Sequence, residues 1–266
     1  DSVTVYVDDT PPPLPTNLVS STHTVNTWTN DTTITYTWTQ PADNVSGVDG
    51  YGVFTSTSAG LPSASKDIEQ VTSFNETLGQ GSWYFNIRPV DNSGNWNATH
   101  ASVGPFRIDT TDPSAATGLA SSTHQVGVQN CSTSVTVNWN AASDSGGSGV
   151  AGYLGVWNTS PATVPVGIAN IAAGATSFNA NIGSSTSARY FHLRTLDNAG
   201  NWGATAHFGP ILANASSVVV YCTGKTNSLG CVPTVATNGV QPSKSAGNFT
   251  VSCSQVINQK NGLLFF

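Results

Sequence analysis

YFNIRPVDNSGNW, residues 84–96, returns as YFHLRTLDNAGNW at residues 190–202. A catalytic loop is rarely needed twice in one chain, whereas a building block is, so the spacing of roughly 100 residues sets the unit to be explained. In both copies Phe and an aliphatic residue alternate with polar ones before the Asp-Asn-x-Gly-Asn turn, the period-2 pattern of a strand with one buried face. Asn and Gly supply the positive φ of a tight turn, and the leading Asp can accept backbone N–H groups across it.

The repetition extends outward from that motif. TNLVSSTH (16–23) returns as TGLASSTH (117–124), TYTWTQPADNVSGVDGY (35–51) as TVNWNAASDSGGSGVAGY (136–153), and HASVGPFRI (100–108) as AHFGPIL (206–212). In TTITYTWT (32–39), Ile34, Tyr36 and Trp38 fall on one face and the threonines on the other, and Thr suits a pleated surface without adding charge. With 26 Gly, 14 Pro and no helical periodicity, the chain is expected to be all-β, each unit carrying about seven short strands, as an immunoglobulin-sized sandwich does.

A Trp late in an early strand (Trp38, Trp139), a Gly- and Asp-rich loop, Gly-Tyr opening the next strand (Gly50-Tyr51, Gly152-Tyr153) and the Asp-Asn-x-Gly-Asn-Trp ending together resemble bacterial fibronectin type III repeats. The linkers DDTPPPLPTNL (8–18) and DTTDPSAATGL (109–119) resemble the joints of such arrays. The resemblance implies tandem fibronectin type III-like, or immunoglobulin-like, β-sandwiches over residues 10–109 and 110–214, and it speaks to fold rather than activity. SVTVYVDDTPP (2–12) reads as the last strand of a preceding repeat, because VDDTPP stands where RIDTTDP stands after the first copy. Residues 1–9 are therefore expected to be that strand, or one exchanged head to tail with another copy. Residues 215–266 hold only VVVYC, NFTVSC and GLLFF as apolar stretches, a partial β module similar to C-terminal modules of secreted planctomycete and myxobacterial proteins.

Composition excludes several classes. Eight Lys and Arg against 14 Asp and Glu give a net charge of −6, which leaves little to neutralise phosphates, so neither nucleic acid nor an anionic membrane surface is an expected partner. No apolar run approaches the roughly 20 residues of a membrane helix, and no basic-then-apolar leader precedes Asp1. The chain is expected to be secreted or cell-surface, without membrane insertion. VVVYCTGKT (218–226) lacks the first Gly of a phosphate loop. His23 and His124 are equivalent by repeat and His192 lies on an outward strand face, so all three are expected to be solvated surface residues rather than ligands or catalysts.

Under the resemblance, the loop after the Trp strand, the Asp-Asn-x-Gly-Asn loop and the incoming linker share one pole of each sandwich. It thereby implies that Asp109, Asp112, Asp144 and Asp197 converge in the second unit, and Asp8, Asp9, Asp43, Asp49 and Asp91 in the first. Hard oxygen ligands in that number suit Ca²⁺, against the plainer reading that these residues form turns and add charge.

Four cysteines allow three pairings. Disulfides are expected rather than a metal site, and Cys222 and Cys231, which bracket a short Gly-containing loop, are the first expected pair. The fold implied by the resemblance places Cys131 at the pole far from the linker, and with it a pairing to Cys253. Non-catalytic spacing or fibre formation, with neighbouring domains or other copies as partners, is the expected role. An adhesin or a module for surface glycans would instead present Trp28, Trp157 and Tyr51 in an open groove, and a region accessory to a secreted hydrolase is the third reading.

Overall fold

The computed structural model describes residues 7–214, together with two further strands at residues 234–238 and 250–254. The chain is all-β: no helix occurs among the described residues. Eight strands build the first unit: β1 (Thr16–Ser20), β2 (Trp28–Thr29), β3 (Thr33–Thr39), β4 (Val48–Ser56), β5 (Ile68–Glu69), β6 (Ser73–Thr77), β7 (Gly81–Asp91) and β8 (Ala101–Ile108). They form a three-stranded sheet, β1-β3-β6, facing a five-stranded one, β2-β8-β7-β4-β5.

The second unit repeats the plan with β9 (Thr117–Ser121), β10 (Gln129–Asn130), β11 (Ser134–Asn140), β12 (Val150–Asn158), β13 (Ile171–Ala172), β14 (Ser177–Asn181), β15 (Arg189–Asp197) and β16 (Trp202–Ala213). Its sheets are β9-β11-β14 and β10-β16-β15-β12-β13. The remaining strands, β17 (Thr234–Asn238) and β18 (Thr250–Ser254), pair antiparallel. Expectations for strand exchange at residues 1–6, for the Cys222–Cys231 pair and for most of residues 215–266 lie outside the described residues.

Each sandwich has its own core. In β3, Ile34, Tyr36 and Trp38 are buried while the flanking Thr33 and Thr39 are exposed. Across the layers Tyr36 stacks on Phe85 at 4.0 Å, with Phe74 and Trp38 on the same ring at 5.8 and 6.1 Å. In the second core Phe191 takes Phe85's place, touched by Trp139, Trp157 and Phe178. Packed aromatic pairs of this kind add about 0.5–1.5 kcal/mol each beyond the area they bury. The short strands β2 and β10 pair parallel with the last strand of their units, and so carry the chain to the pole opposite the incoming linker.

Candidate metal sites at the sandwich poles

The repeated turn builds the floor of each site. Gly94 and Gly200 adopt positive φ, 88° and 101°, which lets the chain fold back over the preceding carboxylate. Oδ1 of Asp91 accepts N–H bonds from Ser93 and Asn95 at 2.9 and 2.7 Å. Oδ1 of Asp197 accepts three, from Ala199, Gly200 and Asn201, at 2.9, 2.7 and 2.7 Å. The final Asn then donates from Nδ2 to the other carboxylate oxygen, at 2.8 Å for Asn95 and 2.7 Å for Asn201. These bonds fix each carboxylate before anything else arrives.

Two more carboxylates join each turn. Asp8, Asp43 and Asp91 come together in the first sandwich, and Asp109, Asp144 and Asp197 in the second, with ligand oxygens within 4.8 Å of one another. The linker supplies Asp8 and Asp109, tied by backbone N–H bonds to Ser46 (3.1 Å) and Ser148 (2.5 Å) of the loop after the Trp strand. The third carboxylate comes from that loop, and there one oxygen on each side is left over: Oδ2 of Asp43 and Oδ1 of Asp144 are buried without a hydrogen-bond partner. Hydrogen bonds from Ser46 and from the Thr10 backbone hold the Asp8 carboxyl below its ordinary value, so it is charged at neutral pH.

The donor set fits Ca²⁺. Oxygens bound at about 2.4 Å can lie up to about 4.8 Å apart around one ion, and the balance of six to eight ligands can be water and carbonyl oxygen. The second site is also shaped as a cradle: a Cβ on Gly147 would sit 2.5 Å from Asp144 Oδ1 and 2.6 Å from Asp109 Oδ2.

Three expected ligands fall elsewhere. Asp112 is exposed and outside the cluster. Asp49 pairs with Lys66 at 3.1 Å, because it lies in strand β4 rather than in the pole loop. Exposed Asp9 is likewise outside, its neighbour Asp8 taking the place. The aromatic groove is also corrected. Tyr51 is fully buried in the core, Trp157 packs on Phe191 at 5.1 Å, and Trp28 lies under the Arg107 guanidinium at 5.7 Å.

The histidines differ from expectation too: His23, His124 and His192 are 8%, 4% and 0% exposed. His23 and His124 each face a Thr hydroxyl on Nδ1 and a backbone carbonyl on Nε2, so the repeated Ser-Ser-Thr-His stretch is a folded turn with a structural imidazole. Cys131 is half-buried, and the expected pairings involve cysteine side chains outside the described residues.

The sequence reading missed how the second site is wired to the first sandwich. Asn201 donates to the Asp109 carbonyl at 2.9 Å, and its Oδ1 accepts from Asn30 Nδ2 at 3.1 Å, while the Asn30 amide donates to the Ala199 carbonyl at 3.2 Å. Gln80, beyond β6, donates to the Gly146 carbonyl at 3.2 Å and accepts from the Thr111 hydroxyl at 2.5 Å. The only advance signal for Asn201 was the repeated last letter of the turn motif; Asn30 and Gln80 had none.

No family model matches the chain. Exoglucanase B of Cellulomonas fimi is 28% identical over 243 residues, covering 87% of this chain and 18% of that protein. The chicken CNTN1 FN1-FN3 domains overlay with a TM-score of 0.37 at 12% identity, covering 77% of this chain and 68% of the other. The fibronectin(III)-like modules of Clostridium thermocellum CbhA give 0.42 at 9% identity, covering 74% and 95%. Nothing in these comparisons supports the resemblance of residues 215–266 to planctomycete and myxobacterial modules.

Proposed function

We propose that this chain is a non-catalytic spacer of a secreted or cell-surface protein, a pair of fibronectin type III-like sandwiches whose joint is stiffened by Ca²⁺. The observation that carries this reading is the shared use of Asn201, which holds Asp197, the Asp109 carbonyl and Asn30 of the preceding sandwich at once. An ion that neutralises Asp109, Asp144 and Asp197 would order the same loop that docks the two units. Small-angle scattering in Ca²⁺ and in chelator tests it. The expected result is a narrower distribution of end-to-end distances in Ca²⁺, lost in Asn201→Ala. Identical profiles in both buffers would overturn the stiffening role. The similarity to part of Exoglucanase B is consistent with a region accessory to a secreted hydrolase, which would make the spacer part of a larger protein without changing its mechanics.

A second reading, lateral contact between copies, rests on one sheet edge. The first sandwich protects its β5 edge with Lys66, bonded to Asp49 and Glu69 at 3.1 and 3.0 Å. At the equivalent places of the second sandwich stand Ala169, Ala151 and Ala172. Val166 and Ile168 beside them are 86% and 87% exposed, and residues 159–188 contain no charged side chain. Copies of net charge −6 repel elsewhere, so this neutral edge is where a second copy meets least resistance. Ile168→Lys should abolish any concentration-dependent association in sedimentation velocity; association unaffected by that change would exclude this edge.

A further inference from the structure

On the outer face of the second sandwich's five-stranded sheet, His192 of β15 and His207 of β16 are register partners. Their Nδ1 atoms lie 2.7 Å apart, the rings 5.0 Å between centroids and inclined at 77°. We propose that the two imidazoles form a binding site for a late first-row divalent cation such as Zn²⁺ or Cu²⁺, distinct in chemistry from the carboxylate poles.

The hydrogen bonds assign the free lone pair. Nε2 of His192 faces Asn158 Oδ1 at 3.1 Å and the Ser160 carbonyl at 3.0 Å, both acceptors, so Nε2 carries the proton and Nδ1 the lone pair. Asn158 is itself held: its Oδ1 accepts the Ser160 N–H at 2.9 Å and its Nδ2 donates to Thr163 at 2.8 Å. That is the outer-shell support that orients a ligating imidazole.

Without metal, His207 Nδ1–H donates to His192 Nδ1. When an ion binds, the His207 proton moves to Nε2 of the same ring, on a residue that is exposed overall, leaving two Nδ1 lone pairs for the ion and water for its other positions; nothing is oxidised or reduced. Two nitrogens bound to one ion at 2.0–2.1 Å are about 2.9–3.3 Å apart, so the rings must separate by tenths of an ångström and tilt until both lone pairs converge on the ion. Imidazole pairs favour Zn²⁺, Cu²⁺ and Ni²⁺ over Ca²⁺.

The first sandwich shows that the fold does not require histidines here. Its register pair is Asn86 and Ser102. Asn86 is fully buried and satisfied, donating to Phe54 and Tyr84 carbonyls at 3.2 and 3.1 Å and accepting the Gly60 N–H at 2.9 Å. The nearest cation on the same strand face, Arg194, is engaged by the Gly203 carbonyl at 2.9 Å and lies over Trp202.

The test is calorimetric titration of the full chain with Zn²⁺ near neutral pH, in millimolar Ca²⁺ so that the carboxylate poles are saturated. The expected result is one Zn²⁺ bound at micromolar affinity and lost in His207→Ser, which copies Ser102. Nitrogen NMR of the unmodified chain gives a readout independent of that variant: Nδ1 of both histidines should shift on adding Zn²⁺, with Nε2 of His192 still protonated. Absence of Zn²⁺ binding, equal binding by His207→Ser, or unmoved Nδ1 resonances would each overturn the proposal.

Discussion

Replacing Asp144 with Asn should reverse its effect on stability between chelator and Ca²⁺. The ligand oxygens of Asp109, Asp144 and Asp197 lie within 4.8 Å of one another. At that separation two unit charges repel by about 3.5 kcal/mol at an effective dielectric of about 20, and by about 0.9 kcal/mol in bulk water. Asp144 faces two such neighbours. Even at the water limit, neutralising it relieves about 2 kcal/mol without metal, while Asn keeps an oxygen for the Gly149 N–H that Oδ2 accepts at 2.7 Å. For a unit of this size that is roughly a 10 °C rise in melting temperature. With Ca²⁺ at a hundred times its Kd the parent chain gains about 2.7 kcal/mol, most of which the variant forgoes. Differential scanning calorimetry should therefore rank Asp144→Asn above the parent in chelator and below it in Ca²⁺, for the second-sandwich transition. A parent transition indifferent to Ca²⁺, or a variant destabilised equally in both buffers, would refute the metal reading and leave Asp144 as a turn residue.

Other perturbations separate packing from chemistry. The Tyr36 hydroxyl is buried without a hydrogen-bond partner, and burial, then the Glu76 carboxylate, raises its pKa. The unfolded chain releases this proton near pH 10 while the folded chain retains it, so stability of the first sandwich is lost as pH rises above about 10. Tyr36→Phe should be neutral or stabilising at pH 7 and should blunt that loss in alkaline denaturation curves; a variant destabilised by more than about 2 kcal/mol would mean that the hydroxyl has a partner. Gly147→Ala would place its Cβ against the Asp144 and Asp109 oxygens, and should weaken Ca²⁺ binding at the second site in isothermal titration while sparing the first. Two sites titrating as before would show that the cradle does not hold the ion.

The fold was legible because its signals are local. Alternation in β3 and the doubled turn motif each state their structure within a dozen residues, and the bonds to Asp91 and Asp197 are those that Asp-Asn-x-Gly-Asn implies. Features that depend on distant parts of the chain were read less well. The period-2 pattern put His192 on the outward face of β15, but only the fold shows that Asn158 and Ser160 cover it. Asp49 and Asp43 are six residues apart and chemically alike, and the choice between them is made by where the pole loop ends and β4 begins. Asn30 and Asn201 are 171 positions apart, and no pattern within either repeat could pair them.

That contact between the units has a counterpart position at the far pole of the second sandwich. Asn30 directly succeeds β2, whose Thr29 pairs with Ile108, and its backbone N–H bonds the turn of the next unit. In the second sandwich Asn130 pairs with Ala213 in the same parallel fashion, so the residue standing where Asn30 stands is Cys131. A cysteine thus occupies the docking position of the far pole, and a bond from there to Cys253 would anchor the C-terminal segment to the second sandwich as Asn30 anchors the second sandwich to the first. Cys222, Cys231 and the side chain of Cys253 lie outside the described residues, so the test is chemical. Peptide mapping without reduction is expected to give Cys131–Cys253 and Cys222–Cys231. A loop of more than a hundred residues closed in this way restricts the unfolded chain by about 4–5 kcal/mol, so reduction should lower the melting temperature of the second sandwich more than that of the first. Free thiols at 131 and 253, or a second-sandwich transition unmoved by reductant, would show that the far pole is held by some other contact.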